Sequence, residues 1–316
     1  MFFGAEKGCA FMKLKPLYEE FLRYMVTEKN CAKTTEDTYR RDFKRLCEFL
    51  ETIGIAEPTT ENLKTPIIRQ YIFFMGESGM KVTTLNKRIN SLRSFYHFLF
   101  SQEYIEKNPM LPITAPKKPQ CIPKYFTEKD LDSFFNAIEK HGKEHYLRDY
   151  TTFLTYALTG LRKMELAHLK VKDIDLGKNT ITVEHGKGNK SRIVPINPPL
   201  TEVLFDFLVS RMPVKPDDPV FVVDSGCAYS ASKIQSLFSK YRELSHINKE
   251  LTVHSLRHSY ASLLLQNGVG IAHISSLLGH SSFDSTKIYL HTTVEHMRED
   301  ANQHPLCKKW QKEHTP

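Results

Sequence analysis

The sequence predicts a mainly α-helical protein with a small antiparallel β-sheet, built as two domains joined by a proline-rich connector. Three observations carry this. Apolar residues recur at spacings of three and four through most of the chain, the period of amphipathic helices. Three short strand candidates lie near 171–175, 179–184 and 191–196, the last two joined by the glycine-rich run His185-Gly186-Lys187-Gly188-Asn189-Lys190, which reads as a hairpin. Pro109, Pro112, Pro116, Pro119 and Pro123 stop helices and stiffen the chain between two helical regions. The expected division is a helical domain over 13–108, a connector over 109–123 and a second domain over 124–316.

In the first domain, 16–28 reads as a helix. Thr34-Thr35-Glu36-Asp37 has the form of a capping-box start, and Tyr39, Phe43, Leu46 and Leu50 follow on one helical face. Arg40, Arg41, Lys44 and Arg45 fall opposite. A third helix is expected over 66–77, stopped by Gly79. A fourth is expected over 83–105, with Leu85, Ile89, Leu92, Tyr96 and Leu99 inward and Lys87, Arg88 and Arg93 outward. Each basic face alone is ordinary solvated surface; two such faces in one four-helix unit, beside a phosphate-handling site, favour contacts to DNA. Lys117 and Lys118 in the connector either lie along a phosphate backbone or are solvated.

The second domain opens with Thr127-Glu128-Lys129-Asp130, a cap for a helix that turns Leu131, Phe134 and Ile138 inward. A helix through Tyr150, Phe153, Leu154 and Leu158 closes at Gly160, a C-cap glycine. Further helices are expected over about 200–212, 230–244, 254–267, 271–278 and 284–291, followed by a basic tail.

Composition narrows the function classes. The chain has 316 residues, 41% apolar, and a formal net charge of +8. The basic excess lies on both sides of the connector, which suits a polyanionic partner. Six cysteines are scattered without a C-x-x-C pair, against a zinc module or a disulfide framework and for a reducing cytosol. The opening residues, interrupted by Glu6 and Lys7, do not read as a signal peptide, and no apolar run approaches the roughly 18 residues of a membrane span. A soluble, cytoplasmic protein is expected.

The chemistry concentrates in 254–289. His254-Ser255-Leu256-Arg257-His258, Leu277-Leu278-Gly279-His280 and Ser285-Thr286-Lys287-Ile288-Tyr289 place two histidines, an arginine and a tyrosine at helix-connected spacing. Attack on a phosphodiester spreads charge over the non-bridging oxygens, and an arginine fork grips two of them at any working pH. A tyrosine can be the nucleophile if neighbouring cations activate it. Upstream, Arg162 follows the Gly160 stop at the start of a new helix, where backbone N–H groups also face anions. Glu165, on the same face, either orients Arg162 or is a routine helix pair. Lys187 sits between glycines at the hairpin tip.

Taken together, T-G-L-R-x-x-E at 159–165, the G-K-G-N-K hairpin at 186–190, H-x-L-R-H at 254–258, L-G-H at 278–280 and Tyr289 resemble the tyrosine recombinases, the lambda-integrase family. The motifs occur in the family's order and the resemblance spans nearly the whole chain, closest to compact, two-domain, Xer-like members. It implies a helical, SAM-like core-binding domain followed by a tyrosine-recombinase catalytic domain. It also implies an integrase-type enzyme of DNA recombination, without cofactor or metal. Tyr289 is then the nucleophile of a 3′-phosphotyrosyl intermediate. Arg162 and Arg257 clamp the phosphate, with His280 as a further donor. Lys187 protonates the leaving 5′-oxygen, His254 assists proton transfer, and Glu165 is the supporting acid. The implied partners are a double-stranded DNA site and three further copies of the chain in a tetramer. A C-terminal segment with Val294, Met297, Leu306 and Trp310 would be exchanged between copies or packed on its own domain.

Two other classes fit parts of the sequence. A non-catalytic DNA-binding regulator would account for the helix–turn–helix pattern over 271–291 but not for Arg162, Lys187, His254 and Arg257 together. A type IB topoisomerase shares the nucleophile and clamp, yet would act on DNA of any sequence.

Overall fold

The computed structural model describes residues 12–117, 124–184 and 191–279. The chain divides into two compact units, Met1–Gln120 and Cys121–Pro316.

The first unit holds four helices among its described residues: α1 (Leu14–Thr27), α2 (Lys33–Thr52), α3 (Thr65–Glu77) and α4 (Val82–Ser101). Their apolar faces meet in an aromatic centre in which Tyr18 stacks on Phe43 at 3.8 Å and Phe95 edges onto Tyr18 at 4.8 Å. Leu85, Ile89, Leu92, Tyr96 and Leu99 are all buried, as their spacing predicts. Met110 and Ile113 join this core, and the Pro109 and Pro116 carbonyls accept from Thr65 and Asn86 (2.9 and 2.8 Å). The first half of the proline-rich stretch therefore packs on the first unit.

Three expectations need correction here. The capping box at Thr34 does not form: α2 starts at Lys33 with Ala32 as its cap and no side-chain cap hydrogen bond, and the Asp37 carboxylate that a Thr34 cap would use lies 4.0 Å from Lys33 Nζ. The fourth helix stops at Ser101 rather than 105, where Glu103 turns to a positive φ of 59° and Tyr104 folds back to donate to Glu20. Arg88 does not face out. It is 8% exposed and its Nε lies 3.5 Å from Asp42, since it shares a face with Leu92 and Phe95, four and seven residues on. Arg93 is half-buried and donates to the Ile113 carbonyl, while Lys87, Arg40, Arg41 and Lys44 remain exposed.

The second unit packs α5 (Glu128–His141), α6 (Tyr146–Thr159), α7 (Lys163–Ala167), α8 (Pro198–Ser210), α9 (Ala231–Leu244), α10 (Val253–Gln266) and α11 (Ile271–Leu278) around β1 (Ile174–Asp175), β2 (Thr180–Val183) and β3 (Arg192–Pro195). The strands form an antiparallel meander in the order β1-β2-β3, with Val183 opposite Arg192 at the end where the chain passes from β2 to β3. The expected strand over 171–175 is shorter, because Asp173 accepts the Lys170 N–H and folds 171–173 into a 3₁₀ turn. Thr127 and Asp130 make the reciprocal cap of α5. Phe126, Phe134, Phe153, Phe238 and Tyr241 form the aromatic centre. Beneath it the Asp149 carboxylate, 1% exposed, accepts from Tyr241 at 2.6 Å and Tyr229 at 3.2 Å and lies 3.3 Å from Arg148. Four buried threonines on α6 return their hydroxyls to carbonyls one turn back. That makes α6 a self-satisfied central pillar, packed against α5, α8 and α10.

Candidate active site

The site is built at the C-terminal end of α11. A helix leaves its last carbonyls without partners inside the helix, and its dipole gathers partial negative charge there. Three arginines from distant parts of the unit supply the partners. Arg192 Nε donates to the Leu277 carbonyl (3.3 Å), Arg257 Nη2 to Leu278 (2.7 Å) and Arg162 Nη2 to Gly279 (2.9 Å). Three successive carbonyls thus each hold one guanidinium.

Two glycines make this approach possible. Gly160 ends α6 in the left-handed region at φ 59°, and a Cβ there would lie 2.6 Å from the Tyr260 ring and 2.8 Å from Leu278. Its carbonyl accepts the other Nη of Arg257, so that guanidinium is held between the ends of two helices. Gly279, at φ 61°, caps α11, and a Cβ there would stand 2.7 Å from Arg192 Cδ.

Glu165 organises the arginines. Its Oε2 accepts from the Arg162 backbone N–H at 2.7 Å and from Arg192 Nη2 at 2.8 Å. Its Oε1 accepts from Arg162 Nη1 at 2.7 Å and Arg192 Nη1 at 2.9 Å. Burial alone would raise this carboxyl, but the Arg192 and Arg162 hydrogen bonds outweigh it and hold the pKa down at about 2. The N–H of Arg162, expected to face an anion at a helix start, is donated inward to Glu165 instead.

Arg257 is 7% exposed; burial, then the Arg162 charge, push its pKa down to about 10, which leaves it cationic at neutral pH. His254 lies one turn before Arg257 on α10, with an exposed edge. Partial burial, then the charges of Lys163 and Arg257, lower its pKa from the ordinary histidine value, which favours the neutral ring. Its Nδ1 stands 3.5 Å from the hydroxyl of buried Tyr156 on α6, at the outer limit of a hydrogen bond. His258 is half-buried one turn further on, with its pKa lowered chiefly by burial.

The structure therefore brings Arg162, Glu165 and Arg257 into one network and sets His254 beside it. Lys187, His280 and Tyr289 lie outside the described residues, as does Lys118. Sequence reasoning missed Arg192, whose partners are 27 and 85 positions away. Its one signal was placement at the start of a strand whose next inward residue, Val194, is fully buried. A pair of converging arginines with main-chain support can hold the oxygens of a phosphate while charge builds on them.

Comparison with known proteins agrees with this geometry. Residues 124–296 match the phage integrase family and residues 18–103 its N-terminal SAM-like domain. The chain is 29% identical to tyrosine recombinase XerC of Listeria welshimeri over 293 residues, 91% of this chain and 97% of that protein. It is 30% identical to tyrosine recombinase XerD of Listeria monocytogenes serotype 4b over 299 residues, 92% of this chain and 99% of that one. In fold it is similar to the Tn1549 transposon integrase in complex with transposon right end DNA, at a TM-score of 0.73 and 21% identity, covering 93% of this chain and 99% of that one. With a SAM-like first unit, a mostly helical second unit carrying a three-stranded sheet, and a paired-arginine site, the chain belongs to the phage integrase family of site-specific tyrosine recombinases, enzymes that break and rejoin DNA strands.

Proposed function

We propose that this chain recombines DNA at a site of its own through a 3′-phosphotyrosyl intermediate, with Tyr289 as the nucleophile. The phenolic oxygen gives its proton to His254 and bonds to phosphorus, the bond from phosphorus to the 5′-oxygen breaks, and that oxygen takes a proton from Lys187. Arg162 and Arg257 hold the non-bridging oxygens, His280 adds a donor, and neutral His254 assists proton transfer. The ester keeps the energy of the broken phosphodiester, so a new 5′-hydroxyl can reverse the step without ATP. The observation that supports this reading best is the pair Arg162 and Arg257, each anchored by main-chain carbonyls with N–H groups to spare.

DNA is the partner, along Arg40, Arg41, Lys44, Lys87, Arg93, Lys117 and Lys118. Arg88, buried against Asp42, leaves this set. The active assembly is a tetramer on two sites in the cytoplasm, with the segment after Tyr289 exchanged between copies. No described helix is long and apolar enough to cross a membrane.

The test is covalent capture. The full chain is incubated with a pool of nicked duplexes of random sequence, and complexes that survive SDS are isolated and sequenced. Enrichment of one site, abolished by Tyr289→Phe while site binding persists, is expected. Adduct formation by Tyr289→Phe removes that residue from its role, and capture without sequence preference favours a topoisomerase.

A further inference from the structure

The cluster holds one more arginine than a two-arginine phosphate clamp requires. The Arg192 side chain is 12% exposed, and its fork meets both oxygens of Glu165 end-on through Nη1 and Nη2 while Nε reaches the Leu277 carbonyl. No N–H of Arg192 needs to be left for substrate to explain its position. The charge balance gives it a task. Glu165 is 8% exposed and bonds Arg162 directly. A lone carboxylate there would cancel much of the positive field that Arg162 offers to a phosphate. With Arg192 on the same carboxylate, two cations share one anion, and the surplus positive charge stays at Arg162. Only a planar fork can grip two oxygens and a third acceptor in one geometry; a lysine reaches one of them at a time.

We propose that Arg192 is a positioning residue of the active site: it neutralises Glu165 and ties it to the end of α11, so that Arg162 keeps its charge and its aim for the scissile phosphate. This rests on the recombinase reading above, and its tests separate the two.

The full chain and its variants are assayed for single-turnover adduct formation on the nicked duplex recovered by covalent capture. Duplex affinity and thermal melting are followed in parallel. Arg192→Ala is expected to bind the duplex within about twofold of the unsubstituted protein and to form adduct about 30- to 100-fold more slowly, the scale of a misplaced reacting group. Removing the uncompensated carboxylate should then help: Arg192→Ala with Glu165→Gln is expected to react at least about threefold faster than Arg192→Ala alone, a reversal that loss of packing would not produce. Should Arg192→Ala fail to melt cooperatively, Arg192→Lys, with and without Glu165→Gln, carries the same comparison. Adduct formation by Arg192→Ala at the unsubstituted rate overturns the inference and leaves the recombinase reading standing, as does a double variant no faster than the single one. No adduct from the unsubstituted protein overturns both.

Discussion

At the scale of single residues the site is a problem in satisfying donors and acceptors, and its weakest points are where no side chain fits. Gly279→Ala forces an L residue into the left-handed region and drives a methyl toward Arg192 Cδ. A loss of at least about 2 kcal/mol is expected, measured by denaturant unfolding. Arg257→Ala and Arg162→Ala should each lower the rate of adduct formation by about two to three orders of magnitude, the usual cost of one transition-state donor. Loss confined to DNA affinity would argue against the clamp. The Glu165 carboxyl gives a pH signature. Its folded value of about 2 lies below the ordinary 4.5, so its contribution is fully present above pH 4.5 and lost as pH falls toward 2. About 3 kcal/mol is involved. The stability difference between the unsubstituted protein and Glu165→Gln should therefore shrink between pH 5 and pH 3 in urea titrations.

At the scale of elements, sequence was a good guide wherever the cause was local. The α5 cap, the Gly160 stop and the positions of α10 and α11 follow from residues within one or two turns, and all could be read in advance. Arg162, Glu165 and Arg257 could be named from their motifs. What could not be read depends on distant partners. Arg192 acquires meaning only when α11 arrives 85 residues later and offers it the Leu277 carbonyl. Arg88 was readable in principle, since its spacing to Leu92 and Phe95 is helical; its charge misled. Its correction is testable: Arg88→Ala should lower stability by about 2 kcal/mol by stranding Asp42, whereas Lys87→Ala should weaken DNA binding and spare stability. The buried Asp149, invisible in the sequence, joins α6 to α9 through Tyr241. Asp149→Ala should cost about 3 kcal/mol in unfolding experiments, because Arg148 loses its buried partner and two tyrosine hydroxyls lose their acceptor.

At the scale of the whole molecule, two compact units with a shared basic excess suit a ligand that is long, regular and anionic. Binding of the captured duplex should fall by roughly three orders of magnitude between 50 and 200 mM salt if six or more phosphates are neutralised. A flat dependence would place recognition elsewhere than on α2 and α4. The oxygens that receive the three guanidiniums at the end of α11 belong to the main chain, and this shapes what mutation can reach. No codon change at Leu277 or Leu278 can delete a peptide oxygen, so the receiving side of the clamp is hidden from drift, and half-buried Leu277 is free to vary in a saturation screen. Vulnerability moves instead to the arginines themselves, to Gly279, where an added carbon would push Arg192 away, and to Gly160, where it would meet Tyr260 and Leu278.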